Sequence, residues 1–428
     1  MNIIERGRAF VQGLQALAGR TAWDWRRCPY CGDTLTCKWG RYTRQPWTFT
    51  GRQQVQVQRH RCERCRRTYS EQSPWLVRGS WYAREVHRCA LDHWQHVGTS
   101  LRRTAEVLRS WLGRQERWRL WRPLDAAPAA PRCYLSASTV HRWLDGAGQW
   151  ARRQAVGQLA GLPSSGQLAT DGLWARLRGG ARRVVLLLTD SVSGVAWLPV
   201  VVTGEAAPRP WQRLWVRARA AGLDRADLWG VTSDGASGLS AYLRRHLSWV
   251  NHQRCVWHLW RNLGGELTAQ AAGAASEATG RAAERVRAHT RAELATLVRA
   301  VFDAGSEAAA WAAHARLAAH PRGCGLAAAL REHVPAALVH RRKYQAGLVR
   351  VSPEWCWRDF RLRLGRGRNA GSAGRLERTA LVWAIYRNFT PAQERSERKR
   401  KYRHPGRCPL AVAGVPPGEV SYLDALAV

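Results

Sequence analysis

Hydrophobic and polar positions divide the 428-residue chain into segments of different period. Residues 1–21 space their apolar side chains as a short amphipathic helix. Gln54–Gln58 reads QVQVQ, the period-two alternation of a strand in a short hairpin. His87–Val97 and Ser100–Leu112 follow helical spacing, the second with Thr99 or Ser100 available as N-cap. After a Trp-, Arg- and Pro-rich connector, Arg114–Arg132, a short helix is expected over Leu135–Leu144. Ser136 would cap it, and Val140, Trp143 and Leu144 form its apolar side. Gly161–Gly166 has the composition of a linker. Three strand-like runs come next, Gln167–Leu177, Arg182–Asp190 and Val195–Thr203, with Gly179-Gly180 and Ser193-Gly194 as hairpin turns. A helix over Trp211–Ala221 leads to an apolar strand that ends on Asp234. Leu239, Tyr242, Leu243 and Leu247 then recur at helical spacing, and a short strand is expected around Trp249–Asn251. Cys255, His258, Arg261 and Asn262 lie on a further helix. From Gly264 to about Leu348 the chain is rich in Ala, Arg and Glu with helical periodicity and few strand signals.

Charge changes the picture more than hydrophobicity does. The 45% hydrophobic content is that of a globular protein, and the length suits two to four domains. Against 31 acidic residues stand 68 basic ones, a net charge of +37. Only Lys38, Lys343, Lys399 and Lys401 are lysine, so the surplus is arginine, which pairs bidentately with phosphate. Such a chain is attracted to polyanions, and nucleic acid is the expected partner. No run approaches the ~20 apolar residues of a membrane span. The start lacks the apolar core of a signal peptide, and eleven mostly scattered cysteines argue against a disulfide framework. A cytoplasmic location with reduced thiols and no membrane partner is expected.

Four of those cysteines are not scattered. Cys28-Pro-Tyr-Cys31 and Cys62-Glu-Arg-Cys65 are two Cys-x-x-Cys pairs about thirty residues apart, the spacing of a zinc ribbon holding one structural Zn²⁺. Cys37 is not expected to be a ligand. Arg59, Arg61, Arg64, Arg66 and Arg67 crowd the second pair and favour nucleic-acid contact. Downstream, the helix opening with Ser136-Ala-Ser-Thr139 presents Ser138, Thr139, His141 and Arg142, which suits a recognition helix in a major groove. Residues 81–160 are therefore expected to form a helix-turn-helix region.

The most informative chemistry is carboxylate. Three antiparallel strands, a helix, a strand, a helix and another strand make the order of a ribonuclease H-like core. In such a sheet the first and fourth strands are neighbours, so Asp171 and Asp234 would meet although 63 residues apart. Paired carboxylates repel unless a cation lies between them, and two Mg²⁺ ions so held drive in-line phosphoryl transfer. Asp190 is the rival first acid, but its place at a hairpin turn gives it a turn role.

Thr232-Ser-Asp-Gly-Ala-Ser-Gly-Leu239, Gln253-Arg-Cys-Val-Trp-His258 and Arg261-Asn-Leu263 resemble the core of Mutator-type transposases of bacterial insertion sequences. Asp171-Gly-Leu-Trp174 and the segment from Gly204-Glu-Ala to Trp211 also fit that pattern. The resemblance implies a DDE transposase that cuts DNA 3′ ends and transfers them. It further implies a dimer or higher oligomer acting on transposon ends and target DNA, in a chain whose composition already suits a cytoplasmic or nucleoid-associated location. Its third acid would come from a helix returning to the sheet. Glu377, at the start of a helix over Glu377–Arg387, is the choice for that role, with Glu354 and Glu394 as rivals. Where the family has Thr-Asn or Ser-Asn before this glutamate, Ala373-Gly374 stands here.

The expected layout is a multidomain α/β chain. It runs as an N-terminal helix (1–21), zinc ribbon (22–80), helix-turn-helix region (81–160) and first part of the core (161–263). A helical insertion (264–355), the last part of the core (356–395) and a basic tail (396–428) complete it. Cys255, His258, Arg261 and Asn262 carry the family pattern, Cys255 and His258 in packing or hydrogen-bonding roles. Two other functions fit the same residues: a catalytically inactive or domesticated DNA-binding regulator, and a ribonuclease H-like nuclease without strand transfer.

Overall fold

The computed structural model describes residues 26–71, 73–112, 133–158, 162, 164–342, 350, 354–364, 371–391, 406–418 and 420–426. The expected helix at 1–21, the connector at 114–132 and Glu394 lie outside the described residues.

The first described strands are β1 (Thr36–Arg44), β2 (Trp47–Thr48), β3 (Gly51–Arg52), β4 (Val55–Cys62) and β5 (Thr68–Ser70). β1 and β4 pair antiparallel from Thr36↔Cys62 to Arg44↔Val55, and β5 adds to β4. The expected hairpin is present, with the β2–β3 excursion at its tip. Helices α1 (Arg84–Val97), α2 (Leu101–Leu112) and α3 (Ala137–Gln158) follow. The sheet part comprises β6 (Gln167–Arg176), β7 (Arg182–Asp190), β8 (Val200–Val202), α4 (Pro208–Ala220), β9 (Gly230–Ser233), α5 (Ser237–His246), β10 (Asn251–Arg254) and α6 (Val256–Asn262). Then come α7 (Gly264–Ala274), α8 (Gly280–Asp303), α9 (Glu307–Ala319), α10 (Cys324–Arg331), α11 (Val334–Ala337) and a 3₁₀ turn (Val339–Arg341). The chain closes with α12 (Glu354–Leu364), α13 (Ala373–Phe389), α14 (Pro409–Val412) and α15 (Tyr422–Ala425). Among the described residues no helix is long and apolar enough to cross a membrane.

These elements form two compact units. One contains Met1–Gly161, Arg176–Ala181 and Asp359–Val428; the other contains Leu162–Ala175 and Arg182–Arg358. Asp171 and Asp234 fall in the second and Glu377 in the first.

In the first unit α1, α2 and α3 close on a core of Val86, Ala90, Ala105, Leu108, Leu112, Leu135 and Val140. Each such side chain contributes about 1.5–3 kcal/mol on burial, alanine less. Ser136 Oγ accepts from Thr139 N at 3.2 Å, so the expected cap is present. The helix it opens is 22 residues long rather than ten. The extension exists because Ala147, Gly148 and Ala151 are buried, and small residues let a second helix approach. That helix is α13: a Cβ added at Gly148 would lie 2.5 Å from Arg378 Cβ and 3.0 Å from its carbonyl oxygen. Arg378 Nε donates to Asp145 Oδ1 at 2.6 Å across the same crossing. Gly148→Ala is expected to destabilise this unit by about 1–3 kcal/mol through overpacking, read as a lowered urea midpoint. An unchanged midpoint would contradict the tight crossing.

His87 packs inside the same unit. It stacks on Trp143 at a ring separation of 3.8 Å, and its Nε2 lies 2.8 Å from Ser80 Oγ. Burial, and then the charge of Arg84, lower its pKa to about 3. The unfolded chain therefore binds the proton first, at the ordinary value near 6.5. Stability is full above that value and is lost as pH falls from about 6.5 towards 3. The urea midpoint of this unit should drop between pH 7 and pH 5, and the drop should shrink in His87→Phe.

Residues 406–418 and 420–426, within the expected basic tail, carry α14 and α15. Ser421 and Asp424 form a reciprocal cap on α15, Arg88 Nη1 meets Asp424 Oδ1 at 2.7 Å, and Tyr422 Oη donates to Asp92 Oδ1 at 3.0 Å. The most basic stretch of that tail, at 396–405, lies outside the described residues.

In the second unit the sheet order is β10-β9-β6-β7-β8. β7 is buried continuously from Val184 to Asp190, as a central strand must be. β8 is shorter than the expected Val195–Thr203. Trp197 N still donates to Leu188 O at 2.8 Å, but Pro199 has no N–H, and regular pairing resumes only at Val200. The helices from α6 to α11 enclose their own core, with Leu259, Leu263, Leu294, Val298, Leu317 and Leu330 at its centre. Residues 264–342 hold no strand, in keeping with the expected helical insertion. Gln253, fully buried on β10, ties the two parts together. Its Nε2 donates to Ala337 O at 2.7 Å and its Oε1 accepts from His340 N at 2.8 Å.

Candidate functional site

Two sites stand out, one in each unit. In the first unit the four cysteine sulfurs lie within 4.8 Å of one another, with Cys28–Cys65 and Cys31–Cys62 each at 3.5 Å. A regular tetrahedron of ~2.3 Å zinc–sulfur bonds has edges of ~3.8 Å, so the cluster is the right size for such an ion. Two matching turns build it. Gly32 N donates to Cys28 O at 2.9 Å, and Arg66 N donates to Cys62 O at 3.0 Å. Gly32 (φ +75°) and Arg66 (φ +60°) both take the left-handed conformation that closes each turn. At Cys28 burial opposes ionisation, but the N–H groups of Tyr30 and Cys31 and the neighbouring thiols outweigh it and bring the pKa to about 7. Cys37 stands outside the cluster. Around the knuckles, Arg61 lies over the exposed Trp39 ring at 4.5 Å and Arg67 over Tyr30 at 5.1 Å. The cluster can bind a metal such as zinc.

The expected DNA-reading residues sit at the start of α3. Ser138 and Arg142 are exposed. Thr139 is half-buried, its Oγ1 3.0 Å from Ser136 Oγ. His141 is half-buried too, rather than fully outward. Burial, then Arg375, lower its pKa, with Arg378 adding to the effect and Asp145 opposing it.

In the second unit β6 and β9 pair in parallel, with Gln167↔Gly230, Leu168↔Val231 and Ala169↔Thr232. β9 ends at Ser233, so Asp234 is the first residue beyond it, two positions past the last pair with β6, as Asp171 is two positions past Ala169. Asp171 is buried, and its Oδ2 lies 4.0 Å from His258 Nε2. Asp234 Oδ1 accepts from Ala236 N at 2.9 Å just before α5. Gly235 (φ +79°) follows, and Arg254 lays its guanidinium over it where any Cβ would overlap. His252 Nε2 meets Ser233 Oγ at 2.7 Å; burial, then Arg254, bring its pKa to about 4, against the pull of Asp234.

Asp190 has the turn role expected for it. Its carboxylate accepts from Ser165 N at 2.6 Å, Val192 N at 3.0 Å and Ser193 N at 2.8 Å. Cys255 is buried at the start of α6, its N–H bonded to Ser233 O at 2.7 Å. Arg261 and Asn262 are exposed, Arg261 over the Trp257 ring at 4.9 Å. Glu377 does not begin its helix. α13 starts four residues earlier, capped by Ser372, and Glu377 is buried in its second turn within the first unit.

Sequence reasoning passed over Arg254 as a site residue, and it used Glu205 only as part of the resemblance. Glu205 Oε1 accepts from Trp174 Nε1 at 2.9 Å, and a Cβ added at Gly172, next to Asp171, would collide with Oε2. Among the described residues, the four cysteines are the one group of three or more ligating side chains whose atoms already lie at shared-ion distances. No protein-family profile matches the chain, and no curated protein matches it.

Proposed function

We propose that the chain is a DDE transposase of the Mutator type, a metal-dependent enzyme that cuts the 3′ ends of an insertion sequence and joins them to target DNA. The observation that carries the reading is the acid pair. Asp171 lies on β6 and Asp234 directly follows the end of β9, the parallel neighbour of β6 in a sheet ordered β10-β9-β6-β7-β8. In open α/β sheets that end is where ligands bind. The order β10-β9-β6-β7-β8, with β6, β9 and β10 parallel and β8 antiparallel to β7, supports a ribonuclease H-like fold reading.

Asp171, Asp234 and Glu377 are the acids the resemblance assigns to magnesium. When bound, magnesium supplies Lewis acidity to phosphoryl oxygens and lowers the pKa of water. The protein's own part is positioning and charge. Asp171 and Asp234 are rigidly mounted on the sheet, and His258 flanks Asp171. Arg254, held beside Asp234, supplies a fixed positive charge against a DNA phosphate. Ser138 and Arg142 on α3, with the arginines of the ribbon, favour duplex DNA as the substrate. Joining two ends requires two copies or more on the DNA. Cytoplasmic, nucleoid-associated action in a bacterium follows from the same reading.

The test uses purified full-length protein and duplex oligonucleotides that carry the inverted repeats flanking its gene. Strand-transfer product that needs Mg²⁺ or Mn²⁺ supports the proposal. Cleavage without joining would point to a nuclease, and binding with neither would point to a regulator. The regulator reading draws on Ala373-Gly374, which replace the family's polar pair before Glu377.

A further inference from the structure

The three-stranded sheet of the first unit leaves in water rings that a small fold would be expected to bury. Trp39 is 50% exposed, Tyr42 is 40% exposed, and Trp81, just before α1, is 70% exposed. Large apolar side chains gathered in water mark a contact surface. The register sets them among arginines. Side chains two apart on a strand share a face, so Arg59 and Arg61 of β4 point the same way. Tyr42 is paired with Val57 on that face, and Ser70 and Thr68 of β5 are paired with Arg59 and Arg61. Arg61 lies over the Trp39 ring at 4.5 Å.

The turn that carries Trp81 is fastened to this sheet. Arg44 Nη2 donates to Val77 O at 3.1 Å, and Tyr42, Arg59, Arg78 and Trp81 then line one cleft of about 840 Å³. The acid in its lining is Glu71, whose Oε1 lies 3.1 Å from His60 Nε2. Exposed rings interleaved with fixed positive charge suit unpaired nucleic acid: arginines meet the phosphates, and rings take the flat faces of the bases. A duplex offers the same phosphates but keeps its base faces stacked inside. The arginines therefore serve either form, and the rings decide between them.

We infer that this face of the ribbon binds single-stranded DNA by stacking its bases on Trp39, Tyr42 and Trp81. The choice of DNA rests on the transposase reading above, because a cut in one strand frees an end that can leave its partner. The stacking rests on the sheet alone.

Anisotropy of end-labelled oligonucleotides with full-length, zinc-loaded protein tests it without any turnover. The probes are a dT strand of about 16 bases, the dA·dT duplex of equal length and the matching rU strand. Trp39→Leu and Trp81→Leu are each expected to weaken dT binding by on the order of tenfold, with the duplex changed by less than about twofold. Trp39→Phe keeps a ring and should keep most of the affinity. Zinc retained by each variant shows that its ribbon is folded. Trp249→Leu is the matched control: that ring is 52% exposed in the second unit, with Arg225 over it at 5.2 Å, and its loss should leave every affinity unchanged. If zinc-bearing Trp39→Leu and Trp81→Leu match wild type on dT, or lose dT and duplex alike, the inference is overturned whether or not the protein joins DNA. If rU binds more tightly than dT and is the probe these variants lose, the occupant is RNA and the inference falls. A protein that shows the selective dT loss but no strand transfer keeps this surface and loses the transposase reading.

Discussion

Asp234→Asn is expected to reduce strand transfer by about a thousandfold or more while DNA affinity stays within roughly threefold of wild type. The substitution is close to isosteric. Asparagine keeps an oxygen for Ala236 N, so the turn into α5 should survive. What it removes is half of the charge that Asp171 and Asp234 present together. A loss of ~4 kcal/mol of transition-state stabilisation corresponds to a factor of ~10³ in rate. DNA affinity should be spared because the net charge of +37 is spread along the chain, and one neutralised acid changes it little. Labelled oligonucleotides resolved by length give the rate, and filter binding gives the affinity. A variant that retains a tenth of wild-type joining would remove Asp234 from the chemistry.

The second large effect concerns the ribbon. Its buried core among the described residues is Cys28, Cys62 and Tyr69, with Cys65 packed against it. Even with Val57 and His60 on β4 added, so few buried side chains fall short of the chain entropy of a three-stranded sheet, and a bound metal is expected to supply the rest. Structural zinc in such small folds is worth roughly 10–16 kcal/mol at neutral pH. Freshly purified protein should carry one zinc per chain by elemental analysis. Chelation should then abolish amide protection across β1, β4 and β5, while β7 in the other unit keeps its own. Absence of zinc, or full protection of β4 after zinc is stripped, would count against a structural metal there.

Strand β7 is readable because Val184–Leu188 is an unbroken apolar run, and α1 and α2 because Val86, Ala90 and Trp94, and Ala105, Leu108 and Leu112, recur at helical spacing. The elements misjudged share a different cause. α3 was cut short because Ala147, Gly148 and Ala151 carry too little hydrophobic signal, although they are the residues that let α13 approach. β8 shrank because Pro199 interrupts a run that composition alone reads as continuous strand. β10 begins at Asn251 rather than near Trp249, since pairing with Gly230 on β9 sets its start. At the candidate site, Asp171 and Asp234 could be paired from strand order, because a register is a counting argument. Glu205 and Arg254 could not be placed that way. Their positions depend on two glycines, Gly172 and Gly235, whose missing side chains make space for them. Nothing in the spacing of charged residues announces such a vacancy.

Gln253 and the carbonyl it holds at Ala337 are 84 residues apart in sequence, yet one amide spans the join. The chain that leaves the sheet after β10 thus returns to its point of departure before it moves on. An excursion closed at its neck can gain, lose or exchange internal helices while the sheet it leaves stays as it was, because the entropy of closing a loop grows only slowly with its length. The helical part is thus free to diversify under selection for whatever it touches, at little cost to the acids beside it. A protein engineer could use the same neck as a grafting point, provided the glutamine is kept.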